Sequence, residues 1–573
     1  MPIHNSDVSE ILREVADLLE IEGRNEFRVR AYRNAAQSVE NLSKDITELV
    51  NEGEDLTEMS DIGESIAEKI EEIVKTGSLE QLQEIRDRTP EDLAELLNIE
   101  GLGPEKVSDL HEELGIDSTE DLKEALDNDE VRELEGFGKK TEEKIEKNIE
   151  HELNEARTRL DRAEEYAEPL VEYLGELDAI DDITVAGSYR RKKETVGDLD
   201  ILVTCSDSEA VMDHFTKFED VADVIAKGDT KSSVRLKNDL QVDLRVLEKE
   251  SYGSALVYFT GSKSHNIELR ERALDYDLKI NEYGVFPEGE DESVAGAAEE
   301  EVYKAVDLPF IPPEIRENRG EIDAARNDEL PNLIEIEDIR GDIHTHTNAT
   351  DGSNSIEEMA RSAVKLGYEY IAITDHSQRV TVANGLNEDE LREHMEEIEA
   401  VNDKFDNIEI LKGIEVDILE DGTLDLSDDV LSELDIVIGS VHYKFDLSRD
   451  KQTDRYLKAL DNPNIHIVGH PTVREINSRD PMDVDLDAVF SKALENGVHM
   501  ELNASPRRLD LNDKHCKTAK EMGLKIVINT DAHSTGELHK IKYGIYQARR
   551  AWLEKDDVIN TRSLDELREI LKR

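Results

Sequence analysis

The chain has 573 residues, long enough for three or four domains, and its 13 prolines and 31 glycines are ordinary for folded protein. Its 137 acidic residues against 69 basic ones give a net charge of −68, and because the acids are spread over every predicted helix they exclude a disordered acidic tail and point to a surface adapted to molar intracellular salt, as in a halophile, where the Debye length falls to about 3 Å. Two cysteines in no repeated pattern exclude a disulfide framework, and a polar start followed by no long apolar run predicts a cytoplasmic protein without a membrane span.

Residues 1–150 read as helices joined by short turns: Asn5-Ser6-Asp7 supplies a cap, and Ile11, Val15, Leu18 and Leu19 form a buried stripe. Three segments share one pattern, DIGESIAEKI from Asp61, IEGLGPEKVSDL from Ile99 and LEGFGKKTEEKI from Leu134. In each, an apolar residue precedes a glycine turn and then a helix, which lets backbone N–H groups approach a phosphate without side-chain obstruction. These segments resemble helix-hairpin-helix motifs, which grip the DNA backbone, and the resemblance assigns that contact to Gly63, Gly101, Gly103, Gly136 and Gly138. The first segment departs by carrying Asp61 where a glycine is usual.

Residues 151–315 contain VAGSYRRKKETVGDLDILV, from Val185 to Val203: a strand end, a glycine-serine turn, four basic residues and a second strand. Alternation on that second strand puts Asp198 and Asp200 on one face and Leu199, Ile201 and Val203 on the other. Two carboxylates beside a glycine-serine turn and arginines suit a magnesium-triphosphate complex. A predicted hairpin over Val234 to Val246 buries Leu240, Val242, Leu244 and Val246, leaving Asp243 on the opposite face as a third carboxylate. Tyr258-Phe259-Thr260-Gly261-Ser262 and a closing hairpin at 281–286 follow. Residues 316–335 are polar and acidic and are expected to be a linker.

Residues 336–573 hold 11 of the 16 histidines. Seven short apolar strands alternate with helices, and nearly every strand ends in a metal-ligand residue: His344 and His346 with Asp351 after them, His376, Glu415, His442, His470, then Asp531 and His533. Glu501 is a weaker candidate. Functional residues at strand C-terminal ends describe a βα-barrel, and this many imidazoles and carboxylates suit two or three metals clamping a phosphate ester.

GSYRR with GDLD, then VDLRV and YFTGS, resembles the palm and nucleotide pocket of family X DNA polymerases. HxH, TDH, GxE, SVH, GHP and DAH resemble the polymerase and histidinol phosphatase (PHP) domain that follows the core of bacterial and archaeal members. The implied architecture is multidomain α/β: an all-α helix-hairpin-helix region at 1–150, lyase-like over 1–90; a polymerase beta-like α+β nucleotidyltransferase palm and nucleotide-selecting subdomain at 151–315; and a (β/α)7-type PHP barrel at 336–573. By resemblance Asp198, Asp200 and Asp243 hold Mg²⁺ or Mn²⁺; Ser188, Arg191 and Gly197 contact the triphosphate; Tyr258 and Phe259 line the sugar pocket; and Gly187 and Gly261 also belong to the nucleotide-binding set. Asn266 and Arg270 reach towards the nascent base pair, and Lys69 occupies the position of a Schiff-base lysine. The nine barrel ligands are expected to hold two or three Mn²⁺ or Zn²⁺ ions. Lys192 departs from the family, which has glycine after the paired arginines. The implied activity is gap filling on gapped or nicked DNA with deoxynucleoside triphosphates, plus 3′–5′ exonuclease and 3′-end phosphodiesterase, in a monomer. The alternative is an end-processing metallophosphoesterase whose polymerase half only binds DNA.

Overall fold

Two sheets of opposite style, one mixed and one all parallel, organise the C-terminal three quarters of the chain. The computed structural model describes residues 157–573, apart from 291 and 573, and within 1–156 the helices Glu26–Glu40, Ile46–Glu52, Glu64–Thr76 and Pro104–Leu114 with isolated positions between them. The chain divides into two compact units, Met1–Ala156 and Arg157–Arg573.

In the first unit every longer described element is a helix. The stripe read from the sequence is buried, Val15, Leu18 and Leu19 joining Tyr32, Val39, Ile66 and Ile70 in one core. A second core gathers Leu102, Val107, Leu110 and Phe137. Among the described residues no helix is long and apolar enough to cross a membrane.

In the second unit the palm is a five-stranded sheet of β1 (Ile180–Val185), β2 (Asp198–Cys205), β3 (Val221–Lys227), β4 (Lys231–Leu236) and β5 (Gln241–Leu247), in the order β1-β2-β5-β4-β3. Strands β2 and β5 are parallel and the other pairs antiparallel. One face packs on the helix Leu160–Gly175, whose Leu160, Ala163, Ala167, Leu170 and Leu174 recur at helical spacing. The helices Tyr252–Thr260 and Lys263–Leu274 and a hairpin of strands Leu278–Asn281 and Gly284–Pro287 follow.

Residues 316–335, expected as a linker, are packed. Ile322, Ala325 and Leu333 are apolar positions in an acidic run and join Ile315 in the core of the preceding subdomain, with a short helix at Glu321–Arg326. Buried Arg316 pairs with Glu299, and buried Glu321 with His265, so two of the charges that made the segment look solvated are interior pairs.

The barrel runs β6 (Gly341–Asp342), β7 (Tyr370–Ile373), β8 (Glu409–Asp417), β9 (Ile436–Ser440), β10 (Ile467–Val468), β11 (His499–Asn503) and β12 (Ile526–Asn529), all parallel and in sequence order. A parallel bridge between Thr345 and Ala532 brings the chain just beyond β6 against the chain just beyond β12, which nearly closes the ring. Ile476, Leu509 and Tyr543 of the barrel share one hydrophobic core with the palm.

Candidate active sites

The palm acids meet through register. Asp200 on β2 lies directly opposite Asp243 on β5, and Asp198 sits two residues earlier on the same face, while Leu199, Ile201, Val242 and Leu244 are fully buried on the other. Burial first, and then Asp198 and Asp243, push the Asp200 carboxyl up to about 6. Burial works against the charge of Asp243 too, but hydrogen bonds from Lys231, Ser233 and Gln241 hold it below the usual carboxylate range. Clustered, partly desolvated carboxylates of this kind fit divalent cations, which would relieve their mutual repulsion.

The turn read at Gly187-Ser188 is a helical turn, Gly187–Arg190. Gly187 has φ +64°, and a Cβ there would stand 3.1 Å from Asp200 Oδ2, so glycine lets this loop, with Ser188, close on the acids. Gly197 faces Arg157, whose guanidinium would lie 3.1 Å from an added Cβ and which pins Thr195. Tyr258 is 39 % exposed, and Phe259 lies under the Arg245 guanidinium. Gly261, at φ +64°, ends their helix. Asn266 donates Nδ2 to Tyr258 O, and Arg270 donates Nε to Asn266 O, so the pocket residues form one connected edge. Arg191 is held at two points: Nε pairs with Glu317 at 3.0 Å and Nη1 donates to Thr260 O.

The barrel brings all nine expected ligands together. Three groups have ligand atoms within 4.8 Å of one another: His346, Asp351, His376 and His533; His344, His346 and Asp531; and His376, Glu415 and His442. Shared His346 and His376 make the groups one cluster, and His470 reaches Glu415 at 2.9 Å. His344 and His346 lie just past the two-residue strand β6 rather than on it. Burial opposes charge on His376, yet Glu415 and Asp351 outweigh it and raise that imidazole to about 10; burial lowers His346 to about 4. His344 Nε2, His346 Nε2 and Glu415 Oε2 are buried without a hydrogen-bond partner. Orphaned donors and acceptors converging on shared carboxylates are what a multinuclear metal site needs.

Behind the expected ligands stand carboxylates that hold them, of which the sequence pointed only to Glu501, as a weaker ligand candidate. Glu501 accepts from His344 Nδ1 at 2.7 Å and from the His470 amide at 2.8 Å. Asp417 meets His442 Nδ1 at 3.1 Å. Asp375 takes bonds from Thr347, Thr350 and His394. Glu501 is therefore the residue that orients His344 rather than a tenth ligand in any of the three groups.

Comparison with known proteins finds a family for each part of the chain. The chain matches family models described as the DNA polymerase beta palm over residues 159–270, the DNA polymerase beta thumb over 255–317 and the PHP domain over 342–505. A helix-hairpin-helix domain matches residues 3–79, and a SAM-like helix-hairpin-helix tandem matches 93–147. It is 40% identical over 578 residues to the DNA polymerase/3′-5′ exonuclease PolX of Bacillus subtilis (strain 168), covering 100% of both chains. The chain belongs to the family X DNA polymerases that carry a PHP domain. The chain is also 33% identical over 242 residues to a "probable phosphatase" of Thermoanaerobacter sp. (strain X514), covering 40% of this chain and 94% of that protein.

Within this family X polymerase the departure at Lys192 has a physical account. Lys192 takes φ +54°, the left-handed conformation that favours glycine, and its ammonium lies over the rings of Tyr189 and Tyr546. In the first unit Gly63 is exposed at the start of the helix Glu64–Thr76, with nothing within 4 Å of an added Cβ. Gly101, Gly103, Gly136 and Gly138 lie outside the described residues. Lys69 is half-buried on the same helix and donates Nζ to Ser65 O and Oγ at 3.0 Å.

Proposed function

We propose that this family X polymerase fills short gaps in DNA and trims 3′ ends at a second site, with gapped or nicked duplexes and deoxynucleoside triphosphates as substrates. The observation that carries this reading is that one compact unit holds both a palm face of three carboxylates and a nine-ligand barrel cluster. Asp198, Asp200 and Asp243 would hold Mg²⁺ or Mn²⁺, and the nine barrel residues would hold two or three Mn²⁺ or Zn²⁺ ions. Such ions acidify a coordinated hydroxyl or water and neutralise phosphate oxygens.

The chain's own residues do the rest. Gly187 and Ser188 bring the loop to the acids, Arg191 supplies positive charge for the triphosphate, and Tyr258, Phe259 and Gly261 bound the sugar. Asn266 and Arg270 extend the pocket edge towards the base pair. Gly63 and the other hairpin glycines grip the DNA backbone. For Lys69, the bond to Ser65 favours a structural role over Schiff-base chemistry, which needs an unprotonated amine in a buried or cationic setting. The end-processing alternative leaves the aligned acids and the connected pocket edge without a use.

The test is a 5′-labelled primer in a one-nucleotide gap, in molar KCl with Mn²⁺. Lengthening with nucleotides and shortening without them supports the reading; shortening under both conditions would replace it with the phosphoesterase alternative.

A further inference from the structure

The helix Ile541–Arg550 belongs to the PHP barrel, yet half of it faces the polymerase. On one side, Ile541, Ile545 and Ala548 lie in the barrel core, and Gly544 sits so close to Ile528 and Ala504 that a Cβ would approach within 2.5 Å and 2.8 Å of their side chains. On the other side, Tyr543, Tyr546, Gln547 and Arg550 recur at the spacing of one helical face. Each touches the palm, three of them on the loop between Gly187 and Gly197. The ring of Tyr546 lies 4.5 Å from Lys192 Nζ. Gln547 donates to Glu194, which Arg474 of the barrel also grips with two bonds, at 3.1 Å and 2.7 Å. Tyr543 donates to Glu164, the partner of Lys192.

Arg550 is the inner end of this face and is 3 % exposed. One guanidinium nitrogen donates 2.8 Å to Arg191 O and 2.9 Å to Glu317 Oε1; the other donates 2.8 Å to Asp513 Oδ2. Glu317 is also the carboxylate that holds Arg191 Nε. A buried arginine of the nuclease barrel thus fixes both the backbone and the side-chain partner of the residue assigned to the triphosphate.

We propose that the helix Ile541–Arg550 is a splint for the nucleotide-binding loop and that Arg550 is a positioning residue for DNA synthesis, acting on the incoming triphosphate through Glu317 and Arg191. The inference rests on the assignment of Arg191 to the triphosphate. A guanidinium aimed by two fixed partners presents its remaining N–H groups in one direction, so the binding energy is not spent on ordering a long side chain. A buried fork bonded at three points also forms only one way, which makes the loop's position a property of barrel docking.

The experiment uses the full-length protein and measures gap filling as KM for the nucleotide and kcat separately, with exonuclease activity on a single-stranded primer alongside. Arg550→Met and Glu317→Gln are each expected to raise the nucleotide KM about tenfold with kcat within about twofold. Exonuclease rates should stay at wild type, and Arg550→Lys should recover only part of the loss, because an ammonium lacks the planar fork. Should Arg550→Met fail to fold, Glu317→Gln carries the test on its own. Wild-type KM in the folded variants, with a raised KM in Arg191→Ala, overturns the splint and leaves the assignment of Arg191 standing. Wild-type KM in Arg191→Ala overturns the assignment itself, and the splint with it.

Discussion

Lys231 places its ammonium 2.8 Å from Asp243 Oδ2, on the acid that lies opposite Asp200 across the palm sheet. A protein cation thus sits against part of the charge that a divalent ion would also face. Lys231 is 46 % exposed and can swing away, so it competes with the ion at modest cost. Lys231→Met should lower the Mn²⁺ concentration for half-maximal synthesis by about threefold, on the scale of an exposed ion pair worth under about 1 kcal/mol. A titration of gap-filling rate against Mn²⁺ checks this, and a higher requirement would give Lys231 a role in substrate binding instead.

Asp513 ties the barrel to the residues flanking the thumb. Burial opposes its charge, but Arg550 and Arg319 outweigh it and hold the carboxyl at about 2, against an ordinary value of 3.8. A carboxylate with a depressed folded value stabilises the fold fully above its unfolded value and loses that stabilisation as pH falls through the folded one. The contribution is about 2 kcal/mol at pH 7 and about half of that near pH 3. Asp513→Asn should therefore lower stability at pH 7 and lose much of its difference from wild type near pH 3. Denaturant unfolding at the two pH values reads this directly, and an unchanged difference would locate the effect in packing rather than charge.

Most of the expected barrel ligands stood out in the sequence because they follow a short strand by two to four residues, which puts them at one end of the ring; Glu415 lies on β8 itself and Asp351 nine residues past β6. The palm acids were legible through alternation along their strands. What periodicity does not carry is pairing between distant segments. Glu501 reads only as a weaker ligand candidate, and Asp417 as one acid among many, until the fold sets them against His344 and His442. Lys192 looked like an anomaly because its use depends on Tyr546, more than 350 residues away. The run 316–335 looked like solvent-facing linker because its charges are counted singly in sequence and cancel in pairs only after folding.

Glu501 orients the imidazole of His344 by accepting from Nδ1, and Asn503 and Asn529 hold the same carboxylate in place. Outer partners of this kind typically matter 10- to 100-fold in metal affinity or activity, by an order-of-magnitude rule. Glu501→Gln should reduce exonuclease activity and bound metal within roughly that range, while gap filling stays at wild type. Elemental analysis of the purified variant separates a lost ion from a misplaced one. Loss of synthesis as well would mean that the substitution disturbs barrel docking.

Two chemistries in one compact unit predict mutants that separate cleanly. Asp200 sits on the palm strand β2 opposite Asp243, and His344 lies just past β6 of the barrel in a group with His346 and Asp531. Asp200→Ala removes an oxygen ligand from the row that would hold the triphosphate's cation, so synthesis should fall at least about a hundredfold while trimming persists. His344→Ala removes a ligand shared between Glu415 and Asp531, so trimming should fall on the same scale, about a hundredfold, while synthesis persists. The same 5′-labelled primer reports both products. A folded variant that loses both activities would show that one metal cluster serves both reactions, contrary to the two separate clusters of side chains.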